Sequence, residues 1–289
     1  MSVYFRFFVS TLGPNRVVTM ALAYALGVQP SLSKLPNRFK IVSWNVASLR
    51  AVIRKKDWDS LIPLEADIIC LQEIRCSPKQ VPAIIIQQSG YCYRFWSPGT
   101  NKYSGVGMAS KLVPSKVQFG IEGEYLDRIM VADFGKFRVV NVYSPFSGKE
   151  FARLDFRRRW ERKFREHLSS LPKTTPVIVC GDFNVGCDDL DVHPTERGPD
   201  VAGFTDEERS WFRELLALGF TDAFRRLHPY HSWYSFWAYG ERRRERNIGW
   251  RLDYFLLNES GMAGLVDCRM LRWVFGSDHC PIILTLYLN

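Results

Sequence analysis

Two hydrophobic patterns alternate along most of the chain. The first is a short continuous apolar run, rich in β-branched residues, that stops near Gly, Pro, Asn or Ser. FKIVSW (39–44), DIICLQ (67–72), GVGMAS (105–110), RIMVADF (128–134), FRVVNVY (137–143), PVIVCGDF (176–183), YFLLN (254–258) and CPIILTLYL (280–288) all read this way. Such runs predict strands buried on both faces. The second pattern is a longer segment with apolar residues at helical spacing. Arg153 to Leu171 sets Leu154, Trp160, Phe164 and Leu168 against many Arg and Lys. Thr205 to Leu218 opens with T-D-E-E, a helix-capping signature with acids in the first turn, and then places Trp211, Phe212, Leu215 and Leu216 along one face. Interleaved strands and helices predict an α/β domain running from residue 38 to 289, although periodicity does not give the strand order.

The first 37 residues stand apart. No acidic residue precedes Asp57, whereas Arg6, Arg16, Lys34, Arg38 and Lys40 are basic. This is the composition of a transit leader, with a disordered tail as the alternative. The apolar run from Val17 to Val28 is too short to span a bilayer, and a Pro-containing linker follows it. A nuclear or mitochondrial location is expected. Seven cysteines without a C-x-x-C pair argue against a disulfide framework or a zinc site and fit a reducing compartment. The hydrophobic fraction of 46% supports a sizeable core. The net charge of +9 favours a polyanionic partner.

Polar residues of particular kinds follow the strands. Asn45 comes after KIVSW, Glu73 after IICLQ, Tyr143 at the end of VVNVY, and Asp182 and Asn184 after VIVC. Asp253 lies in GWRLDY, and Asp278 and His279 lie in GSDHCP before the last run. Each alone is an ordinary turn residue, but strand ends are where a sheet presents functional groups, and together the types fit one reaction. Phosphodiester hydrolysis needs a hard cation, which Glu73 and Asp278 can bind through oxygen. It needs an oriented, deprotonated water, suited to Asp182 beside Asn184. It also needs donors to the phosphate oxygens, which His279, Asn184 and Tyr143 supply.

The strings SWNVASLR, ICLQEIRC, YSGVGMAS, RRRWERKF, CGDFNV, AGFTDEER, NIGWRLDYFLL and GSDHCPI, in this order, resemble the signature blocks of exonuclease III-type AP endonucleases in the endonuclease/exonuclease/phosphatase superfamily. The resemblance covers residue 38 to the carboxyl terminus. It implies a four-layered α/β sandwich, two packed mixed β-sheets flanked by helices. It also implies Mg²⁺-dependent cleavage of double-stranded DNA 5′ to abasic sites in base excision repair, with Mn²⁺ as a substitute ion. An accompanying 3′-exonuclease or 3′-phosphodiesterase activity is expected, as is a monomeric protein with no membrane association. By matching positions, Glu73 would be the main metal ligand, supported by Asn45 and Asp278. Asp182 and Asn184 would border the metal and handle the attacking water. His279, oriented by Asp253, and Tyr143 would hold the phosphate. Phe236, Trp250 and Leu252 would line a pocket for a flipped-out baseless sugar.

Five positions depart from the family pattern. Ala47-Ser48 replaces Asp or Asn followed by Gly, and Phe146 replaces the amide of Tyr-x-Pro-Asn/Gln. Val201 stands for a strand-contacting Asn, and Gly240 for an intercalating Met. Two basic stretches are set against these losses. Arg242, Arg243, Arg244 and Arg246 are expected to grip phosphates, whereas Arg157 to Arg165 is expected to be a solvated helix face. Competing readings are a superfamily phosphodiesterase with another substrate and a DNA-binding paralogue with weakened catalysis.

Overall fold

The computed structural model describes residues 38–84, 90–98 and 103–287. The expectation for the basic leader falls outside these residues. Twelve strands form two six-stranded sheets among the described residues. The first sheet contains β1 (Phe39–Asn45), β2 (Ile68–Gln72), β3 (Tyr93–Trp96), β4 (Gly107–Ser110), β11 (Leu265–Met270) and β12 (Ile282–Leu286), in the order β11-β12-β1-β2-β4-β3. The second contains β5 (Lys116–Phe119), β6 (Ile129–Asp133), β7 (Arg138–Tyr143), β8 (Val177–Asp182), β9 (Phe220–Asp222) and β10 (Asp253–Asn258), in the order β5-β6-β7-β8-β10-β9.

Each sheet has one parallel pair at its centre, β1/β2 in the first and β7/β8 in the second, with antiparallel neighbours on both sides. The two sheets therefore repeat one topology, although no sequence repeat announces it. In both parallel pairs the carboxyl ends of the strands lie side by side, Asn45 opposite Gln72 and Tyr143 opposite Asp182. Open sheets with such central pairs carry their ligands beyond the carboxyl ends of those strands.

Alternation along the strands explains why the central runs are apolar throughout. Ile41 and Cys70 point into the core between the sheets and meet Val139, Ile178, Cys180 and Phe255 from the other sheet. Their neighbours Val42 and Ile69 face outward onto α1 (Leu49–Arg54) and the 3-10 helix Asp57–Leu64, through Leu49, Val52, Trp58 and Leu61. On the far side, Val177 and Val179 meet Trp160, Phe164 and Leu168 of α2 (Leu154–Ser169) and Phe212 and Leu215 of α3 (Asp206–Ala217). The layers run helix, sheet, sheet, helix, as expected. Two shorter helices, α4 (Ala223–Leu227) and α5 (Glu259–Met262), complete the set. Thr205 caps α3 in a reciprocal capping box with Glu208.

The structure corrects one expectation about α2. Arg157 is not on a solvated face; its side chain is 1% exposed. The residue sits on the helix's inner side, where its guanidinium donates to the carbonyls of Pro145 and Phe183 and pairs with Glu161 at 2.8 Å. It thereby ties together the loops that follow β7 and β8. Among the described residues no helix is long and apolar enough to cross a membrane.

Candidate active site

The carboxyl ends of β1, β2, β7 and β8 converge, and each brings a polar residue. Asn45 is fully buried, and its amide Nδ2 donates to Asp182 Oδ2 at 2.8 Å and to Glu73 Oε1 at 3.0 Å. Its own Oδ1 accepts from the Ala47 N–H. The Asn45 side chain thus bridges the two sheets through two carboxylates. Three residues that turn the chain out of its strands have left-handed backbones: Ala47 (φ 50°), Glu73 (φ 48°) and Asn184 (φ 50°). Non-glycine residues held in this way are concentrated where function constrains the backbone. At position 47 the left-handed backbone is one that Asp or Asn tolerates better than Ala.

Asp182 is 1% exposed. Its Oδ1 accepts the Asn184 backbone N–H at 2.9 Å. Burial, together with Asp253 and Glu73 and against the pull of His279, pushes the Asp182 carboxyl up to about 7. Across the β8/β10 pair Asp253 stands opposite Asp182. Asp253 Oδ2 holds His279 Nδ1 at 2.7 Å, while His279 Nε2 lies 3.8 Å from Asp182 Oδ2. Burial opposes a charge on His279, but the charge and hydrogen bond of Asp253 and the nearby Asp182 and Asp278 outweigh it and push the imidazole up to about 10. The hydrogen-bonded and neighbouring carboxylates thus favour the cationic form of the ring. Its Nδ1–H is committed to Asp253, and a 3.8 Å gap is too long for a hydrogen bond, so Nε2–H is available to a third group. The other Asp253 oxygen, Oδ1, is buried without a hydrogen-bond partner.

Tyr143 lies with its hydroxyl against Glu73 and the Arg128 guanidinium 4.9 Å from its ring centre. Burial, then Glu73 and Asp182, hold the phenol well above its ordinary value, so it remains a donor. Asn184 spends its amide on the Ser144 carbonyl at 2.9 Å, and its contact with Asp182 Oδ2 is marginal at 3.5 Å. Asp278 joins at one remove: Ser277 Oγ lies 2.8 Å from the Asn45 carbonyl and 3.1 Å from Asp278 Oδ1, two acceptors that share its single hydrogen. Sequence reasoning missed the supporting residues Arg75, which pairs with Glu73 Oε2, and Ser235, whose Oγ accepts from the Leu252 and Asp253 N–H groups. Ser235 carries no signal in its local pattern, because it acts on the backbone of residues distant in sequence, whereas Arg75 lies two residues from Glu73 and meets it through the turn between them.

The apolar trio is also assembled. Trp250 and Leu252 pack with Val192 and Phe204, and Phe236 lies against them. The Phe236 ring is 4.8 Å from the His279 ring, so the apolar patch abuts the polar cluster. The basic loop behaves differently from expectation. Arg242 is exposed and pairs with Glu245, and Arg243 pairs with Glu196 and Glu241. Arg244 is a correction. Its guanidinium donates to the carbonyls of Arg272, Val274 and Ser277 and lies between the Trp237 and Phe275 rings, at 4.6 and 4.5 Å. With its donors on protein carbonyls, it braces the loop before Asp278 and has little left for a phosphate.

Buried carboxylates, a fixed imidazolium and a donor phenol at the mouths of two parallel strand pairs form a hydrolytic site for an anionic ester. Comparison with known proteins agrees. Residues 42–279 match the model of the endonuclease/exonuclease/phosphatase family. The chain is 41% identical over 253 residues to the DNA repair nuclease APEX1 of Danio rerio, covering 86% of this chain and 82% of that protein. It is 40% identical over 253 residues to an exodeoxyribonuclease of Bacillus subtilis, covering 86% and 99%. The fold matches the structure of an AP endonuclease from Archaeoglobus fulgidus with a TM-score of 0.79 at 28% identity, covering 86% and 99% of the two chains. The protein belongs to the endonuclease/exonuclease/phosphatase family, in its branch of exonuclease III-type AP endonucleases, which are divalent-metal-dependent nucleases.

Proposed function

We propose that this chain hydrolyses the phosphodiester 5′ to abasic sites in double-stranded DNA, with Mg²⁺ as its cation and Mn²⁺ as a substitute, as a monomer serving base excision repair. The observation that carries the reading is the line of contacts Glu73–Asn45–Asp182, with the His279–Asp253 pair beside it. The names of the relatives, a DNA repair nuclease and an exodeoxyribonuclease, support the substrate.

The donor set fits a hard cation. Among the described residues no group of three His, Cys, Asp or Glu is placed to enclose a metal. Mg²⁺ does not need one, since it keeps several waters and takes one or two carboxylates. Glu73, with Asp278 and Asn45 close by, would hold it. Burial first, and then the nearby Asp253 and Glu73 charges against the pull of His279, raise the affinity of Asp182 for a proton, and a cation would offset the part that comes from charge. When bound, the cation neutralises the phosphate and the leaving oxygen. Asp182, held by Asn45 and the Asn184 N–H, orients the attacking water and accepts its proton. His279 donates Nε2–H to a non-bridging phosphate oxygen, and Asp253 keeps the ring oriented. Tyr143 adds a second donor. Phe236, Trp250 and Leu252 offer the baseless sugar an apolar surface, and Arg242 and Arg243, each paired with glutamate, would exchange those partners to meet a phosphate.

The deciding measurement is cleavage of a duplex containing one abasic analogue, with Mg²⁺ and with EDTA. Cleavage on the 5′ side in Mg²⁺ and none in EDTA is the expected result. An intact duplex in Mg²⁺ and Mn²⁺ would overturn the reading. Recessed 3′ ends in the same assay report the accompanying 3′ activity. We further propose a DNA-containing compartment, nucleus or mitochondrion, testable by imaging a carboxyl-terminal fusion with and without residues 1–37.

A further inference from the structure

The loop from Leu271 to Ser277 links β11 to Asp278 and His279, and it exposes two large aromatic residues. Trp273 is 64% exposed and Phe275 is 61% exposed. The residues between and beside them turn inward: Leu271 and Val274 are buried against the outer helix layer. The backbone is pinned as well. Val274 N donates to Leu271 O at 2.9 Å, Leu271 N donates to Pro281 O at 2.8 Å, and Arg244 clasps the carbonyls of Arg272, Val274 and Ser277. The two rings are therefore held out to solvent on a fixed backbone.

Their surroundings are those of a catalytic rim. The Arg244 guanidinium is 4.5 Å from the Phe275 ring centre. Tyr239, 76% exposed, places its phenol close to the Asp278 backbone and within the influence of Glu73 and Arg75, so an exposed ring reaches the edge of the catalytic cluster. Arg272 and Arg246 are exposed on the same two loops, as is Arg242, whose charge is offset by Glu245. A single exposed ring is ordinary, but two large rings exposed at positions 273 and 275 of one pinned loop mark a candidate contact surface. The partner that matches aromatic faces interspersed with guanidinium groups is a single-stranded nucleic acid, whose bases stack while its phosphates meet the cations. An acidic protein surface would meet the arginines but has no requirement for upright rings beside a phosphodiesterase centre.

We propose that Trp273 and Phe275, with Tyr239 at its inner end, form a stacking platform for unpaired bases. On this proposal an unpaired strand beside the scissile phosphate, such as the one opposite a recessed 3′ end, is held by stacking on these rings. This rests on the nuclease reading above and deepens it by naming the contact that takes the unpaired strand. The platform lies outside the cluster of Asp182 and His279, so its loss spares the chemistry on paired DNA.

The test uses the full chain in EDTA, so that binding is measured without turnover. Affinity is measured for an abasic-analogue duplex and for the same duplex with a short single-stranded extension carrying 2-aminopurine, a base whose fluorescence reports stacking. The extension should tighten binding by wild type and alter the fluorescence. Trp273→Ser with Phe275→Ser, both at exposed positions, should lose roughly tenfold in affinity for the extended substrate, little for the paired one, and the fluorescence change. An extension that adds no affinity, or an equal loss on both DNAs, overturns the proposal and leaves the patch to a protein partner. Cleavage of the paired duplex in Mg²⁺ by wild type is run alongside. If it fails while the extension still binds through the two rings, the nuclease reading falls and the platform stands; the opposite pattern separates them the other way.

Discussion

Two buried aspartates, Asp182 and Asp191, sit in the same domain and behave oppositely. Asp191 is 0% exposed, and Arg251 Nε meets its Oδ1 at 2.7 Å, with Arg225 on the same oxygen. Arg251 reaches on to Asp222 at 2.6 Å. Burial alone would raise the Asp191 carboxyl, but the two guanidinium groups and their hydrogen bonds hold it below its ordinary value. Two acids and two bases close on one another there, and their charges balance without a ligand. Around Asp182 stand Glu73, Asp253 and Asp278, against one imidazolium and one arginine. That carboxyl is pushed up to about 7. The structural network is charge-balanced; the catalytic one is left with surplus negative charge that a cation and a transferable proton complete. A perturbed carboxylate beside an unpaired oxygen, such as Asp253 Oδ1, marks the second kind of site.

Substituting each network should separate them most sharply. Asp182→Asn should lower single-turnover cleavage of abasic duplex by about 10²–10⁴-fold, the range of a lost general base, while the unfolding midpoint stays level or rises. A variant that loses folding stability instead would place Asp182 among the structural acids. The converse change, Arg251→Met, removes the guanidinium shared by two buried carboxylates, leaving Asp191 with Arg225 alone and Asp222 without an ion pair, and should cost about 3–5 kcal/mol in urea unfolding, with activity per folded molecule nearly preserved. Equal stability would show that this network is not holding the fold.

The pH dependence of the metal-free protein sharpens the contrast further. Asp182 in the folded state keeps a proton that the unfolded chain releases above 3.8, so stability falls as pH rises from there to about 7. The stability from His279 is fully present below 6.5 and is lost as pH rises through about 10. Asp191, with its lowered pKa, contributes stability above 3.8 that is lost only as the medium becomes more acid than this. Unfolding in EDTA over a pH series should therefore show a decline through neutrality that Asp182→Asn flattens and Mg²⁺ reduces. A decline unaffected by either change would assign it elsewhere.

Smaller effects are expected at two of the departures from the family pattern, Phe146 and Ala47. Phe146, 41% exposed, follows a segment anchored by Arg157 at Pro145. Phe146→Asn should raise single-turnover cleavage of abasic duplex by roughly tenfold if it adds a transition-state hydrogen bond. No gain on abasic or 3′-recessed duplex would show that Phe146 does not weaken the enzyme. Ala47, held at φ 50°, should be stabilised by about 1 kcal/mol or less on substitution by Asn, read from the urea midpoint. A loss of stability there would mean that the pocket around residue 47 has no room for the amide.

The runs read from the sequence became the eight interior strands, β1, β2, β4, β6, β7, β8, β10 and β12. The four strands with no such reading, β3, β5, β9 and β11, are the four sheet edges. The cause is burial. An interior strand covered on both faces must be apolar throughout, whereas an edge such as Leu265–Met270 carries Asp267 and Arg269 and looks like a loop. Chemistry was legible for a similar reason. Asn45, Glu73, Tyr143, Asp182, Asp253 and His279 announce themselves as polar residues where apolar runs stop. The sequence by itself determined the layered α/β class, the interior strands and the kinds of group at their ends. Only the tertiary structure decided that two parallel pairs bring those ends together, that Asn45 bridges Asp182 and Glu73, and that His279 finds Asp253. It also decided which arginines are free. Arg157 and Arg244 look in sequence like their neighbours, but one turns into the core and the other clasps three carbonyls. A guanidinium's role depends on which distant carbonyls the fold places within its reach, and that information has no local pattern.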